Sequence, residues 1–547
     1  MSTRHPLVGV TVCLMAGTWC GLTQEVQASA VFVAAWLCLL LALLALRSPR
    51  RPACDSTDAA PWIQPLHVSA LRQLPLFATL VLTGWAAAAA RIEESRSCTL
   101  TGLCGADGAT VEMEGVITDD PAMLGSALTN RTLWQFTLQP SFVRSASNAP
   151  AMPARNPVVI RLPVWNDRKP PAYGEGWRIA GRLRQDGTDR IVPSRRFHLS
   201  ADGMRSTRLS AGNGNPLAGW CYGQRRVVAN YLATGIGDFP GHVGLLRALI
   251  LGYRQDLPPD VRDDFAWTGT LHIIAISGSH VVVVAGILIF VLQAFGISRM
   301  HWGLFLAPLL AGYTVAIGIP ASAARAALMA VIYFSAPLLR RKADVLSSLA
   351  LAALIILGVA PAQLFDLGFI LSFVCVLGLI ILCPLINDPL MKLLEPDPLR
   401  LQPEERWITA ARSVGRYCVS LLVLAVAGWL VSTPLSAYYF GRFSIVALPA
   451  NLIIIPMAFL ILVAGCLSIA LGPCLLLFAD IFNHANLALV TLMLRSMDLL
   501  ARIPGGSIEC KWPLWAMLLW YLILAIAAIW LHSRQLERRE KPLPATS

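Results

Sequence analysis

The stretch 268–287, TGTLHIIAISGSHVVVVAGI, constrains this chain more than any other: it holds His272, Ser277, Ser279 and His280 inside an apolar run long enough to enter a bilayer. Hydrocarbon offers polar groups no hydrogen bonds, so such residues face a bundle interior or a hydrated path. The Ser277-Gly278-Ser279 triplet weakens the backbone ladder and predicts an interrupted helix, which at membrane depth survives only where protein or a cavity surrounds it. That combination points to a channel or a carrier.

The rest of the chain agrees. With 56% hydrophobic and 14% charged residues it is too apolar for an ordinary soluble protein. Apolar spans of membrane length recur at about twelve places: 7–22, 28–46, 74–90, 271–295, 303–319, 322–338, 345–360, 367–386, 417–437, 445–471, 473–494 and 513–531. The first resembles the core of a signal peptide, but no small-x-small cleavage site precedes the second, so it is read as a helix. The predicted fold is therefore a polytopic α-helical membrane protein of about 12 helices with an inserted all-β, OB-like domain.

Orientation follows the cations of the short loops. Arg47, Arg50, Arg51, Arg72, Arg299, Arg340, Arg341, Lys342, Arg534, Arg538, Arg539 and Lys541 all fall on one side. With that side cytoplasmic, both termini are inside and residues from 91 to about 264 are outside. The expected organisation is 1–90 N-terminal transmembrane helices, 91–215 a periplasmic barrel, 216–270 amphipathic connecting helices, 271–531 a channel domain and 532–547 a basic tail.

In the outer segment, strand-like runs (VEMEGVIT, LWQFTLQ, PVVIRLPV, WRIAGRLRQ) alternate with turn-rich stretches, a pattern suited to a small barrel. Between 125 and 210 stand fourteen Lys and Arg against five Asp and Glu, interleaved with aromatics. Such a mixture can hold phosphates and stack bases, with Arg161, Arg178, Arg182, Arg184, Trp134 and Trp165 as candidates. It can equally be a barrel core with a solvated cationic face, and both readings stand. The net charge of +12 favours an anionic partner, phospholipid or nucleic acid. Cys98 and Cys104 flank a Gly-containing loop and are a candidate disulfide in an oxidising compartment, although five intervening residues do not guarantee the geometry.

Four blocks carry a family resemblance. HIIAISGSHV is similar to the H-L-L-A-I-S-G-L-H-V signature of the ComEC competence family. RAALMAVIYFSAPLLRRKAD with DLGFILSFVCVLGL resembles its R-x-x-x-M segment and D-x-G-F-Q-L-S-F block. STPLSAYYFGRFSIVALPANLIIIPM resembles its P-L-x-x-x-x-F and N-L-x-x-x-P stretch. LLRALILGYRQDLPPDVRDDF resembles the amphipathic segment before the signature, and residues 91–210 resemble the family's OB-like outer domain. The resemblance implies a channel that moves one strand of transforming DNA across the inner membrane. It further implies a periplasmic DNA receptor and cytoplasmic DNA-binding proteins as partners.

Position 279 departs from the pattern with Ser for an apolar residue, and position 370 with Ile for Gln. Many members also carry a metallo-β-lactamase-like nuclease domain with H-x-H-x-D-H. The nine His residues here form no H-x-H or H-x-x-x-H pair. The expectation is accordingly no metal, no cofactor, no enzyme activity and a separate nuclease. No G-x-x-x-x-G-K-[ST] loop occurs, so an ATP-driven motor is expected to be another, cytoplasmic protein.

From the orientation, the fourth, sixth, eighth and tenth spans run inward, with His272, Arg325, Asp366 and Asn451 near their outer ends and His280 roughly 12 Å deeper at 1.5 Å per residue. His272, Ser277, Gly278, Ser279, His280, Arg325, Asp366, Ser372 and Asn451 are the expected lining of the DNA path. Each has another reading: snorkelling for Arg325, an N-cap for Asp366, helix tying for Asn451, back-bonding for Ser372 and interior placement for the histidines. Two other functions remain open, a small-anion carrier and an inactive shortened relative. A hydrolase using Ser277, His280 and Asp366 has no second feature in its favour.

Overall fold

The computed structural model describes residues 6–23, 81–85, 100, 109–126, 131–145, 151–154, 156–163, 170–185, 197–203, 205–210, 212–254, 257–274, 276–394 and 406–540. It divides into two compact units, Met1–Gly219 with Leu346–Phe369, and Trp220–Val345 with Ile370–Ser547. The first unit thus takes in residues 346–369, which the sequence assigns to the channel domain.

In the first unit, helix α1 (Pro6–Thr23) precedes strands β1 (Ala109–Ile117), β2 (Ala122–Ser126), β3 (Arg131–Arg144), β4 (Met152–Pro153), β5 (Val158–Pro163), β6 (Gly176–Gln185), β7 (Phe197–Ala201) and β8 (Thr207–Ser210). Alternation builds the barrel. On β1, Val111, Met113 and Ile117 point inward while Glu112 and Glu114 point out, and on β6 Trp177, Ile179 and Leu183 are buried while Arg178, Arg182 and Arg184 are exposed. Pairing runs β1–β3–β5–β7–β6 and returns to β1, closing a five-stranded ring in which only β5–β7 is parallel. The closed ring is the OB-like barrel, and it leaves no long open edge. Phe136, Leu138, Ile160 and Phe197 fill it. Losing the Phe136 ring would cost about 3–5 kcal/mol, because a closed barrel collapses poorly around a cavity.

The helices follow: α2 (Pro216–Tyr231), α3 (Pro240–Leu251), α4 (Pro259–Trp267), α5 (Leu271–Ile274), α6 (Gly278–Ala294), α7 (Trp302–Ala316), α8 (Ala321–Ser335), α9 (Val345–Val359), α10 (Leu367–Lys392), α11 (Arg406–Tyr439), α12 (Ala447–Leu471), α13 (Leu476–Ala501) and α14 (Leu514–Glu540). Strand β9 (Arg442–Ser444) lies between α11 and α12, and β10 (Ser507–Glu509) between α13 and α14. Among the described residues five helices, α10 to α14, are long and apolar enough to cross a membrane; α1, α3, α6, α8 and α9 are apolar but shorter. In the first unit Thr11 on α1 donates to the Ala350 carbonyl of α9 at 2.9 Å. A Cβ on Gly17 would overlap the Val81 carbonyl, so glycine there lets two helical segments touch.

Within the segment 216–270, expected from the resemblance to be amphipathic connecting helices, α3 buries Leu245, Leu246, Leu249 and Ile250 against Ile454 and Ile461 of α12 and Val490 and Met493 of α13. Arg247 is accommodated because its Nε donates to the Ala229 carbonyl at 3.1 Å. Between α12 and α13, Asn483 accepts from Ser468 at 2.8 Å and donates to the Tyr231 and Thr234 carbonyls, tying the pair to the end of α2. Helices α6, α7 and α8 share a second core of Val281, Leu306, Leu310 and Ala323. Strands β9 and β10 pair antiparallel over three residues. Beside them Trp429, Phe443, Trp512 and Trp520 form a closed ring of aromatic contacts with centroids 5.6–6.3 Å apart.

Candidate functional site: a polar break between two apolar helices

Helix α5 ends after a single turn and α6 begins at Gly278. Between them Ser277 is extended, at φ −109° and ψ 175°, as an N-cap residue is. The interruption expected from Ser-Gly-Ser is present, and its chemistry is a capping box with histidine where Glu or Gln usually stands. The Ser277 N–H donates to His280 Nδ1 at 3.2 Å, and the Ser277 hydroxyl lies 3.1 Å from the same nitrogen and 2.7 Å from the Ser279 hydroxyl. An Nδ1 that accepts a backbone N–H is unprotonated, so in the neutral ring the proton is on Nε2. That nitrogen is buried and has no hydrogen-bond partner among the described residues, in a side chain only 1% exposed.

The wall behind the break is α8. Ser322 donates to the Ile276 carbonyl at 2.6 Å, and a Cβ on Gly278 would come within 3.4 Å of Ala326. Ser322, Arg325 and Ala326 are spaced i, i+3, i+4 and share one helix face. Arg325 is 3% exposed, so snorkelling to a surface does not describe it. A second buried cation approaches from α2: Arg225, 7% exposed, donates to the Leu251 carbonyl at 2.6 Å and stacks 4.1 Å over the Tyr253 ring. It borders Gly252, whose φ of +78° closes α3 and whose missing Cβ leaves room for Ile276, and it also lies beside Gly318 in the α7–α8 turn. In that turn Ile319 holds φ +54°, a costly conformation for a β-branched residue. Next along the chain, desolvation pulls the Arg254 guanidinium below its ordinary value, and the neighbouring Arg262 adds to the shift.

The remaining predicted residues fall as follows. His272 is exposed, while His280, eight residues on, is buried. The connection between them is not continuous helix, so the spacing of 1.5 Å per residue does not apply across it. Asp366 Oδ2 accepts from Phe369 N at 3.0 Å, the hydrogen bond of an N-cap for α10. Ser372 is half-buried. Asn451 is half-buried, and its Oδ1 has no partner among the described residues. In the barrel, Arg178 is held by Glu114 at 2.6 Å, whereas Arg161, Arg182 and Arg184 are exposed. Trp134 packs against the barrel core. Trp165, Cys98 and Cys104 lie outside the described residues. Sequence reasoning missed Arg225, Ser322 and Asn483; the only local signal was a polar residue inside an apolar or small-residue run.

Among the described residues the arrangement gathers hydrogen-bond donors. Ser277 and His280 touch, but Nε2, where an orienting carboxylate would bind, has none among the described residues, and no cluster of three metal-binding side chains occurs among them. Guanidinium, imidazole N–H, hydroxyl and helix N-terminal amide groups share one preference, a negatively charged oxygen.

Comparison with known proteins gives a family. The model of the family described as Competence protein matches residues 249–535, which contain α4 to α13, the break and its α8 wall. ComE operon protein 3 of Bacillus subtilis (strain 168) is 28% identical over 237 residues, which is 43% of this chain and 27% of that protein. The matched part thus spans about a quarter of the length of the curated relative. No solved structure matches.

Proposed function

Because the chain belongs to the competence protein family and is of the ComEC type, we propose that it forms an inner-membrane passage through which one strand of DNA reaches the cytoplasm. The observation that carries the reading is the broken α5–α6 element, where a buried imidazole N–H, two hydroxyls and the buried Arg325 stand inside an apolar bundle. A single strand brings one phosphate per nucleotide, which hydrocarbon rejects, so it needs a hydrated path with donors spaced along it. Neutral hydroxyl and imidazole donors suit such a path, since they hold a phosphate without trapping it.

In this reading the chain crosses the membrane about twelve times with both termini cytoplasmic, and the barrel is periplasmic. It receives DNA from a periplasmic receptor. A cytoplasmic ATP-driven motor or DNA-binding proteins supply the pull, and a separate nuclease removes the other strand. Asp366, as the cap of α10, has a structural role in this reading. Ser372 and Asn451 belong to the lining.

The test is uptake of labelled duplex DNA and transformation frequency in a competent cell lacking its own channel gene, complemented with this chain, with His280→Ala or with His280→Gln. Wild type restores cytoplasmic label, and His280→Ala leaves label outside the inner membrane. His280→Gln separates the roles of the ring, because glutamine at that position keeps a cap acceptor. Normal insertion of wild type with no uptake would overturn the reading, leaving a small-anion carrier or an inactive relative.

A further inference from the structure

The barrel sorts its arginines. On the side of β1 and β3, Arg178 meets Glu114 at 2.6 Å and Arg144 meets Glu112 at 3.7 Å; Arg208 meets Glu175 at 2.8 Å. Arg161, Arg182 and Arg184 have no such carboxylate among the described residues, and all three are exposed. Strand register brings them together. Ser200 on β7 is the partner of Arg161 on β5 and of Arg182 on β6, so Arg161, Ser200 and Arg182 form one row across three adjacent strands. Arg184 follows two residues along the same face of β6. At the usual strand spacings the Arg161 and Arg182 backbones are about 10 Å apart and those of Arg182 and Arg184 about 7 Å. Steps of that size are on the order of the separations between nearby phosphates of a nucleic-acid backbone.

The aromatics are sorted the other way. Phe136, Trp177 and Phe197 are buried in the barrel core and Trp134 packs against it. The one strongly exposed aromatic ring of the described barrel residues is Phe142, 51% exposed, at the end of β3 opposite Glu114 rather than in the arginine row. Among the described residues this face gathers cations while Phe136, Trp177 and Phe197 turn inward, which suits holding a sugar-phosphate backbone better than stacking bases.

We propose that the β5–β7–β6 face of the barrel is a phosphate-backbone site that binds duplex DNA at least as well as single strands. The proposal rests on the reading of DNA as cargo and places strand selection after the barrel, not on it. The test uses the full chain in zwitterionic nanodiscs, with fluorescence anisotropy of a labelled 20-base-pair duplex and of its single strand across a salt series. Wild type binds the duplex as tightly as the strand or more tightly. Arg161→Gln/Arg182→Gln/Arg184→Gln loses at least tenfold in duplex affinity at low salt, and its log–log salt slope falls by about 2 to 3. Arg178→Gln and Phe142→Ala leave both values near wild type.

Two results overturn the proposal alone: a triple variant with unchanged duplex affinity and slope, or a single-strand preference above about fivefold that Phe142→Ala abolishes, since one stacked base is worth about that much. Circular dichroism of each variant keeps loss of binding apart from loss of fold. If wild type binds neither nucleic acid, the cargo reading falls with the proposal. If it binds duplex through the arginine row but restores no uptake, only the cargo reading falls.

Discussion

In the barrel, arginines stand at the surface, and Arg144, Arg178 and Arg208 meet glutamates. In the helical unit, Arg225 and Arg325 are 7% and 3% exposed, and Arg225 is satisfied by a backbone carbonyl and a tyrosine ring. The difference is one of solvation. An exposed pair such as Arg178–Glu114 or Arg144–Glu112 exchanges water for a carboxylate at little net gain, so those charges are replaceable at little cost to the fold, whereas Arg208 meets the buried Glu175. A buried guanidinium has given up its water, and each contact it keeps offsets a desolvation cost of several kcal/mol. Arg161, Arg182 and Arg184 on the barrel are therefore open to ligands, while the buried Arg225 of the helical unit is also structural.

The contrast breaks most visibly at Arg225. Arg225→Ala removes the donor to Leu251 and leaves a cavity under Tyr253, and is expected to cost about 3 kcal/mol or more, read as loss of monodisperse protein or a lowered unfolding midpoint in detergent. Arg225→Lys recovers only part, because an ammonium cannot both stack and reach the carbonyl. Next comes Gly303→Ala: a Cβ there lies 2.6 Å from the Ser335 Cα, so α7 and α8 must separate, at a cost of about 1–3 kcal/mol in the same assay. Ser277→Ala, which removes one member of the capping box, costs about 1 kcal/mol.

The barrel side gives smaller effects. Burial raises the Asp119 carboxyl above its ordinary 3.8, although the N–H and hydroxyl of Thr137 donate to it at 2.7 Å and oppose the shift. A carboxyl with a raised folded value binds its proton more tightly in the folded state, so it favours the fold below about 3.8 and withdraws that support as pH rises through the raised value. Asp119→Asn should flatten this part of the stability profile in thermal melts across that window. Arg178→Ala should change stability by no more than about 0.5 kcal/mol, and a larger effect would mean that the barrel pairs are not solvent-exchangeable.

The elements that sequence made legible are those whose signal is local. The Ser-Gly-Ser break was visible because glycine and an N-capping serine act on their own backbone, and the barrel strands because VEMEGVIT and WRIAGRLRQ alternate with period two. Helices α10 to α14 were visible from apolar length alone. What stayed hidden depends on distant partners. Arg225 meets Leu251 only because α2 folds back along α3, Ser322 meets Ile276 across 46 residues, and ring closure joins β1 to β6 some 70 residues on. The partner of Arg247 on α3 was hidden for the same reason: the Ala229 carbonyl that takes its Nε–H lies 18 residues away. Arg178 and Trp134 have the residue types of a nucleic-acid surface; what the sequence does not show is that Arg178 pairs across strands with Glu114 and that Trp134 is half-buried against the barrel core.

The β9–β10 ribbon has a mechanical consequence. Since β9 joins α11 to α12 and β10 joins α13 to α14, three paired residues and four mutually touching rings clamp one end of both helical hairpins. A displacement of either hairpin at that end must drag the other, so the four helices act there as a stator. The α7–α8 hairpin lies outside that clamp, and the turn that joins its two helices holds Ile319 at φ +54°, where a β-branched side chain stores strain.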